Sequence, residues 1–202
     1  MKKGIIFVVS GPSGAGKSTI IEKLVKRDKR LKFSVSATTR PKRRGEKEGI
    51  HYFFVNKEKF KNMIKKDNLL EWAEFQGNFY GTPEKFVNET VNKNYDIVLD
   101  IDVQGAVQAM KKLKDAVYIF ITPKSLAVLR NRLISRRTDD AGAIKKRLKI
   151  AHGEMQHIDM YKYFVINDDL NEAVKGVKAV ITAERSKIAR NKDVITKLKK
   201  KI

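Results

Sequence analysis

One stretch near the start of the chain limits the possible folds more than any other: GPSGAGKST, residues 11–19. It fits the pattern G-x-x-x-x-G-K-[ST], whose glycines let a loop curl so that successive backbone N–H groups face one phosphate. An apolar run, IIFVV, precedes the loop and a helical pattern follows it, which points a helix N-terminus at the same anion. The pattern predicts a nucleoside triphosphate site, with a chance match in a glycine-rich loop as the alternative. By itself it does not separate an ATPase, a GTPase and a kinase.

Two side chains of the loop carry the chemistry that its backbone does not. Lys17 places a full positive charge at the β- and γ-phosphates, and the Ser18 hydroxyl can ligate Mg²⁺. The residues predicted to bind the triphosphate are Gly11, Pro12, Ser13, Gly14, Ala15, Gly16, Lys17 and Ser18.

The charge balance favours an anionic ligand without naming it. The chain has 202 residues, and 44 Lys and Arg against 23 Asp and Glu give a formal net charge of +21. Such a charge attracts nucleotides, nucleic acid or an anionic membrane, and a solvated lysine-rich surface is an equal alternative. Part of the excess is local, because residues 185–202 carry eight Lys and Arg against one Asp.

Composition also excludes several classes. The chain has no cysteine, which excludes disulfides, thiolate metal sites and cysteine nucleophiles and favours a cytoplasmic location. No apolar run approaches the roughly 20 residues that a membrane span needs, so no membrane association is expected. The three histidines, at 51, 152 and 157, have no metal-ligand spacing, and we expect no structural metal.

The apolar runs predict an α/β fold. Non-alternating runs at 5–9, 95–102, 116–122 and 163–167 are typical of strands buried on both faces of a parallel sheet. Helical patterns lie between them, at 17–27, 103–114, 124–136 and 169–190. This alternation predicts a doubly wound core with helices on both faces.

Two segments interrupt that alternation. Residues 33–83 contain shorter, more alternating pieces with a turn at GNFYGTP, which predicts a small antiparallel insert. Residues 136–160 are polar and helical without a strong apolar stripe, which suits a mobile lid better than a core element. We therefore predict a single domain, with a core of residues 1–32, 84–135 and 161–190, an insert at 33–83, a lid at 136–160 and a basic C-terminal helix or tail at 185–202.

Four further segments accompany the phosphate loop. They are SVSATTRPKR (34–43) with Gly45-Glu46 and Tyr52 after it, LEWAEFQGNFYGT (70–82), IVLDIDVQG (97–105) and R-x-x-x-R-R-T…K-R-L (132–148). In this order and at these spacings, the chain resembles guanylate kinases over about residues 4–185. The resemblance implies a P-loop NTPase-type parallel sheet flanked by helices, a mixed α+β GMP-binding insert and a helical lid. It also implies Mg²⁺-dependent transfer of the γ-phosphate of ATP to GMP or dGMP.

The resemblance assigns acidic residues to the guanine base. Guanine presents N1–H and N2–H₂ as adjacent donors, which carboxylates accept, whereas adenine has a lone pair at N1 and no 2-amino group. Glu71 and Asp102 fall at the base positions, and Ser36 and Thr82 at the hydroxyl positions beside them. The alternative interpretations are that Glu71 is a surface residue of an alternating strand and that Asp102 is a helix N-cap.

The resemblance assigns four residues to the GMP phosphate. They are Arg40, Arg43, Tyr52 and Tyr80. Guanidinium groups bind phosphate oxygens in pairs, and tyrosine hydroxyls add neutral donors. Lys42 and Arg44 match no family position and are expected to be solvated.

The remaining positions concern phosphoryl transfer. Asp100 and Asp102 end one buried strand and point to the same side of it, at the sheet edge where such folds bind ligands. By resemblance, Asp100 lies near Mg²⁺ and contacts it through water. The lid arginines Arg132, Arg136 and Arg147 are expected to stabilise the transferring phosphoryl group beside Lys17, and Asn167 to contact adenine.

Other functions remain open on the sequence. One is a P-loop kinase for a different nucleotide or a sugar phosphate, which would not need Ser36, Glu71, Thr82 and Asp102. A second is a non-catalytic binding module of the guanylate kinase type, which usually has a degraded phosphate loop. A third is a nucleic-acid-binding protein, but no aromatic RNA-binding motif or zinc pattern is present, so no dedicated nucleic-acid partner is expected. For assembly we expect a monomer or a weak homodimer.

Overall fold

A computed structural model describes residues 3–135 and 141–200, so the predicted lid residue Arg136 lies outside the described residues. The strands are β1 (Ile6–Ser10), β2 (Leu31–Phe33), β3 (Ala37–Thr38), β4 (Phe53–Phe54), β5 (Leu69–Phe75), β6 (Asn78–Pro83), β7 (Asp96–Asp100), β8 (Val117–Thr122) and β9 (Tyr163–Ile166). The helices are α1 (Lys17–Arg27), α2 (Lys57–Lys65), α3 (Glu84–Asn92), α4 (Val103–Lys112), α5 (Leu126–Ser135), α6 (Ala141–Met155), α7 (Leu170–Ser186) and α8 (Lys192–Lys199), with short 3₁₀ turns at Ile158–Met160 and Ile188–Arg190.

The main sheet is parallel and has the strand order β2-β7-β1-β8-β9 within the described ranges. Its central strand, β1, is buried on both faces. Phe7 and Val9 pack with α1 and α7, whereas Val8 packs with α3 and α4 on the opposite face. Burying an apolar side chain of this size contributes about 1.5–3 kcal/mol, which is why the strand has no polar alternation. The carboxyl ends of β1 and β7 therefore lie side by side, and both lead directly into residues of the predicted site.

A second, smaller sheet has the order β4-β3-β6-β5. Its strands β5 and β6 form an antiparallel hairpin in which Phe75 pairs with Asn78. The two residues between them, Gln76 and Gly77, both have positive φ angles (49° and 74°), as a tight hairpin turn requires. Phe60 of α2 is fully buried beneath this sheet. All four strands lie within residues 33–83, although the predicted bounds of an insert stay a prediction.

Helices α5 and α6 pack against each other beside the phosphate loop. Leu129 and Leu133 of α5 bury against Ala151 and Leu148 of α6. Outside this small apolar contact α6 is mostly polar, with Ile150 as an exposed apolar residue at the cavity beside the phosphate loop. The segment that the sequence assigns to a lid thus contains a 15-residue helix.

The C-terminal region is anchored by one buried acid. Glu184 of α7 is fully buried and accepts hydrogen bonds from the Tyr163 hydroxyl (2.7 Å) and Lys187 Nζ (2.6 Å). Arg190 lies 3.4 Å from the same carboxylate. Helix α8 follows, and its Val194 and Leu198 are exposed. Within the described part of the chain, no helix has the length and apolar character to cross a bilayer.

Candidate nucleotide-binding site

The phosphate loop joins β1 to α1 in a conformation that depends on glycine. Gly11 and Gly16 have φ angles of 140° and 86°. A Cβ atom at Gly11 would collide with the carbonyl of Ile121, and one at Gly16 with the side-chain amide of Asn167. Gly16 is also the N-cap of α1 and offers no capping side chain. The N-terminus of α1 is therefore open towards the loop, as an anion site requires.

Lys17 and Ser18 lie at the first turn of α1. Lys17 Nζ donates to the carbonyl of Gly11 at 2.7 Å, so the ammonium folds back over the loop. The Ser18 hydroxyl donates to Asp100 Oδ2 at 2.6 Å. This brings an alcohol and a carboxylate, both of them hard oxygen donors, together beside the loop. Such a donor pair fits Mg²⁺, which proteins hold through a few oxygens while its other ligands are water and phosphate.

Glu71 is a buried acid on β5. Its exposed fraction is 7%, and the Thr82 hydroxyl of β6 donates to its Oε1 at 2.7 Å. Burial raises the pKa of Glu71 to about 7; the Thr82 hydrogen bond lowers the pKa and the charge of Asp102 raises it. A buried acid with one hydrogen-bond partner and a second carboxylate nearby is typical of a functional site rather than of a surface strand.

Asp102 meets Glu71 at the start of α4. Its Oδ1 accepts from the Gly105 N–H at 2.7 Å, so it does cap the helix. Gly105 has no room for a side chain, because a Cβ atom would lie 2.8 Å from Glu71 Oε2 and 3.3 Å from Asp102 Oδ1. The two carboxylates thus converge on one glycine.

Ser36 lies just before β3, which faces the same region. The antiparallel register places Ala37 opposite Gly81, so the chain at Ser36 runs alongside Thr82. Its backbone carbonyl accepts from the Phe53 N–H at 2.9 Å. The predicted guanine residues therefore come from β3, β5, β6 and the start of α4, four elements that are distant in sequence.

The predicted phosphate clamp is centred on Arg40. Its guanidinium binds Glu46 through two hydrogen bonds of 2.6 and 3.1 Å, and its Cζ lies 5.5 Å from the ring centroid of Tyr52. The rings of Tyr52 and Tyr80 meet edge to face with centroids 6.1 Å apart. The hydrogen bonds from Arg40 and from the Arg43 N–H lower the pKa of Glu46 to about 2.

The other cations of this loop are solvated. Lys42, Arg43 and Arg44 are all exposed. Arg43 contributes its backbone N–H to Glu46 at 2.7 Å, but its side chain is not gathered into the Arg40–Tyr52–Tyr80 cluster. The structure therefore brings three of the four predicted clamp side chains together and leaves Arg43 at the rim.

The two described lid arginines contact the phosphate-binding region from different sides. Arg147 Nη2 on α6 donates to Ser13 Oγ at 3.2 Å. Arg132 Nη2 on α5 donates to the carbonyl of Asn167 at 2.6 Å. A cavity of about 540 Å³ contains Lys17, Asp100, Asp102 and Arg147. A larger cavity of about 740 Å³, between the end of α1 and α7, contains none of the predicted residues.

Two acids in the site were given no binding or catalytic role by the sequence, although Glu46 belongs to a segment that carries the family resemblance. Glu46 organises the Arg40 clamp, and its position six residues after Arg40 in a glycine-containing loop was the available signal. Glu154 of α6 lines the 540 Å³ cavity. Burial raises its pKa to about 7, with Lys17 lowering the pKa and Asp102 raising it. Its spacing of seven residues from Arg147 puts both on one helix face, which the sequence alone could have indicated.

Comparison with known proteins identifies the family of the chain. The family model described as guanylate kinase matches residues 3–184. The chain belongs to the guanylate kinase family. It is 46% identical over 198 residues to a guanylate kinase of Caldanaerobacter subterraneus subsp. tengcongensis, covering 98% of this chain and 96% of that protein. It is 48% identical to a guanylate kinase of Syntrophomonas wolfei subsp. wolfei over 93% of this chain and 96% of the other.

Solved guanylate kinase structures agree in fold. The crystal structure of the guanylate kinase from Anaplasma phagocytophilum is similar, with a TM-score of 0.73 and 36% identity over 94% of this chain and 90% of that one. The guanylate kinase match spans both sheets and ends within α7, so α8 lies beyond it.

Proposed function

We propose that the protein phosphorylates GMP with ATP, giving GDP and ADP. Membership of the guanylate kinase family makes it a transferase of the ATP:GMP phosphotransferase type. The geometric observation that carries the proposal is the convergence of the buried Glu71 and the exposed Asp102 on Gly105, with Asp102 lining the same cavity as the phosphate loop. A kinase for a sugar phosphate would have no use for two carboxylates there.

Glu71 and Asp102 would read the guanine edge, with Thr82 and Ser36 beside them. The donors N1–H and N2–H₂ of guanine satisfy the carboxylates, whereas the lone pair at N1 of adenine would face a buried acid. A site built this way rejects the wrong base because its own polar groups would be left unpaired. The Thr82 hydroxyl fixes the orientation of Glu71 before substrate arrives.

The cluster of Arg40, Tyr52 and Tyr80 would hold the phosphate of GMP. One edge of the Arg40 guanidinium is occupied by Glu46. Arg40 Nη1 also donates to the Pro41 carbonyl at 2.7 Å. A guanidinium has five N–H donors and these contacts use three, so the other two would serve phosphate oxygens. Arg43 would complete the clamp by turning its exposed side chain inward.

Phosphoryl transfer would depend on positioning and charge rather than on a covalent intermediate. The triphosphate would be cradled by Lys17 and by backbone N–H groups of the loop, which come from Gly11, Ser13, Gly14, Ala15, Gly16 and Ser18. Pro12 belongs to the same loop but has no N–H to donate. Arg132, Arg136 and Arg147 would stabilise charge as phosphate passes to GMP, and closure of the predicted lid would exclude water. Ser18 and Asp100 would hold Mg²⁺, which when bound supplies neutralising charge at the phosphates.

The wider setting of the protein is also proposed rather than derived from the site. We infer a single catalytic domain made of a core, an insert at 33–83 and a lid at 136–160, acting as a monomer or a weak homodimer. We place it in the cytoplasm, in purine nucleotide metabolism and GMP recycling.

A coupled ADP-release assay tests the proposal. ATP and Mg²⁺ are held constant while GMP, dGMP, AMP, CMP and UMP are supplied in turn. GMP and dGMP should give turnover, and the other three should give rates near background. Absence of turnover with GMP, in protein that still binds ATP, would remove the proposed function.

A further inference from the structure

Asn167 lies at the end of β9 and reaches under the phosphate loop. Its backbone N–H donates to the carbonyl of Thr122 at 2.8 Å, so it continues the main sheet by one residue. Its exposed fraction is only 4%. Its side-chain Nδ2 donates to the carbonyl of Ala15 at 2.6 Å. This hydrogen bond joins residues that are 152 positions apart, within the interior of the protein.

The Ala15 carbonyl needs this donor because of how an anion loop works. Backbone N–H groups that face a phosphate force the neighbouring carbonyls to face away from it. Ala15 is fully buried, so its carbonyl has no access to water. A buried carbonyl without a hydrogen bond costs free energy, and the Asn167 amide removes that cost.

Gly16, the residue after Ala15, leaves the space that the Asn167 amide occupies. Gly16 has a φ angle of 86°, and a Cβ atom there would collide with Asn167 Nδ2. The amide therefore packs directly against the turn that leads into Lys17. A displacement of the amide would change the position of the loop residue that precedes the phosphate-binding lysine.

Asn167 is also in contact with a proposed catalytic arginine. Its backbone carbonyl accepts from Arg132 Nη2 at 2.6 Å, and the Asp168 carbonyl lies 3.5 Å from the same nitrogen. All three residues line a cavity of about 310 Å³ together with Gly14 and Gly16. The end of β9 thus contacts the phosphate loop through a side chain and α5 through a carbonyl.

One N–H of the Asn167 amide donates to the Ala15 carbonyl, and its Oδ1 is buried with no hydrogen-bond partner among the described residues. The amide nitrogen has a second N–H, but a base that paired with both this N–H and Oδ1 would have to reach an oxygen that solvent does not reach. Pairing with adenine would therefore require the amide to move, at the expense of its hydrogen bond to Ala15. We propose that Asn167 is a positioning residue, which holds the phosphate loop through Ala15 and seats Arg132, rather than a reader of the adenine base. The proposal rests on the proposed ATP-dependent function.

Variants of Asn167 separate these two roles. Asn167→Ala removes the donor, and Asn171→Ala is the matched control, because Asn171 is exposed on α7 outside this cavity. The measurements are Kd for ATP, for GTP and for inorganic tripolyphosphate, which has no base, together with kcat and KM with ATP or GTP as donor. If Asn167 positions the loop, Asn167→Ala should weaken all three ligands about tenfold and leave the ATP-to-GTP preference unchanged. kcat should fall with both donors.

The opposite pattern would overturn the proposal. If Asn167 reads adenine, the variant should lose affinity for ATP more than for GTP, and its affinity for tripolyphosphate should stay at the wild-type value. Should Asn167→Ala fail to fold, Asn167→Leu keeps a branched side chain and removes the donor without adding a charge, and Kd for GMP reports whether each variant is folded. Binding of tripolyphosphate does not depend on turnover. If the wild-type protein were inactive with GMP, the proposed function would be refuted, but the binding measurements would still test the role of Asn167.

Discussion

Glu71 carries a carboxylate in surroundings that penalise its charge. Because burial raises its pKa to about 7, a large fraction of the free protein has a neutral Glu71 just below neutral pH. A neutral carboxyl cannot accept both hydrogen bonds that guanine offers. We therefore predict that kcat/KM for GMP falls below pH 7, approaching tenfold per pH unit.

The control for this profile is Glu71→Gln. The phosphate of GMP titrates near pH 6 as well, so the wild-type profile alone does not isolate the carboxyl. The variant should have a low kcat/KM whose remaining acid limb reflects only the phosphate. An identical profile shape in both proteins would show that Glu71 does not control GMP recognition.

The same residue predicts a cost in stability. A carboxyl whose pKa is raised from 4.5 to about 7 by folding binds protons more tightly in the folded state. The contribution of Glu71 to the free energy of unfolding is therefore most favourable at low pH, and it is lost as pH rises from about 4.5 to about 7. Glu71→Gln should raise the free energy of unfolding at pH 8 and change it much less at pH 5. Urea unfolding at both pH values measures this, and a variant less stable than wild type at pH 8 would count against it.

At the scale of elements, the proposed guanine site depends on how β5 is fixed to α4. Strand β5 is at the edge of the small sheet, so its outward-facing backbone groups, the N–H and carbonyl of Trp72 among them, have no further strand to pair with in the described residues. Gln108 of α4 satisfies both: its Oε1 accepts from the Trp72 N–H at 3.1 Å, and its Nε2 donates to the Trp72 carbonyl at 3.0 Å. This double hydrogen bond sets the strand that carries Glu71 against the helix that Asp102 caps.

Gln108→Ala should loosen that arrangement. Losing two neutral hydrogen bonds at a partly exposed position costs about 1–2 kcal/mol, so KM for GMP should rise about five- to thirtyfold while KM for ATP stays within about twofold. Gln156→Ala, at an exposed position, is the control. An equal rise in both KM values would point to general destabilisation instead.

The elements that the sequence predicted are those with strong local signals. The strands β1, β7 and β8 are buried on both faces, and their unbroken apolar runs are visible without a structure. The prediction of burial on both faces is wrong for β9, which lies at the edge of the sheet with Phe164 and Ile166 about half exposed. Strand β2 is three residues long, and α2 lies in a segment with mixed periodicity, so neither was predicted. The single pattern at 169–190 corresponds to α7 and a 3₁₀ turn, with α8 separate from both.

The same distinction holds for the site. The phosphate loop is one continuous segment, and its geometry follows from glycine positions that are local in sequence. Other contacts depend on tertiary packing. These are the pairing of Arg40 with Glu46, the approach of Glu154 to Lys17 and the hydrogen bond from the Asn167 amide to Ala15. Residue type and spacing predict which groups are present, whereas their partners require the fold.

At the scale of the whole molecule, one buried ion cluster joins distant parts of the chain. Asp96 at the start of β7 is fully buried and accepts from the Ile5 N–H at 2.8 Å and from Arg185 Nε at 2.6 Å. Arg185 on α7 also contacts Asp28, at the end of α1, at 2.7 Å. The cluster therefore connects the sheet to helices at both ends of the sequence.

Arg185→Met should leave Asp96 without its main counter-charge. Removing one partner of a buried pair costs about 3 kcal/mol, which corresponds to a fall in Tm of about 6–12 °C in a chain of this size. Lys175→Met is the matched control, because Lys175 pairs with Glu172 on the surface and both side chains are mostly exposed. That change should stay within about 0.5 kcal/mol. Similar losses for the two variants, measured by thermal unfolding, would contradict the structural role of the cluster.

The central claim is that this fold selects GMP by pairing guanine with two carboxylates. The most direct measurement is kcat/KM of the wild-type protein for GMP, IMP and AMP at fixed ATP and Mg²⁺. GMP should exceed AMP by about 10⁴-fold, and IMP, which keeps N1–H and lacks the 2-amino group, should fall between them. Values for GMP and AMP within tenfold of each other would contradict the claim.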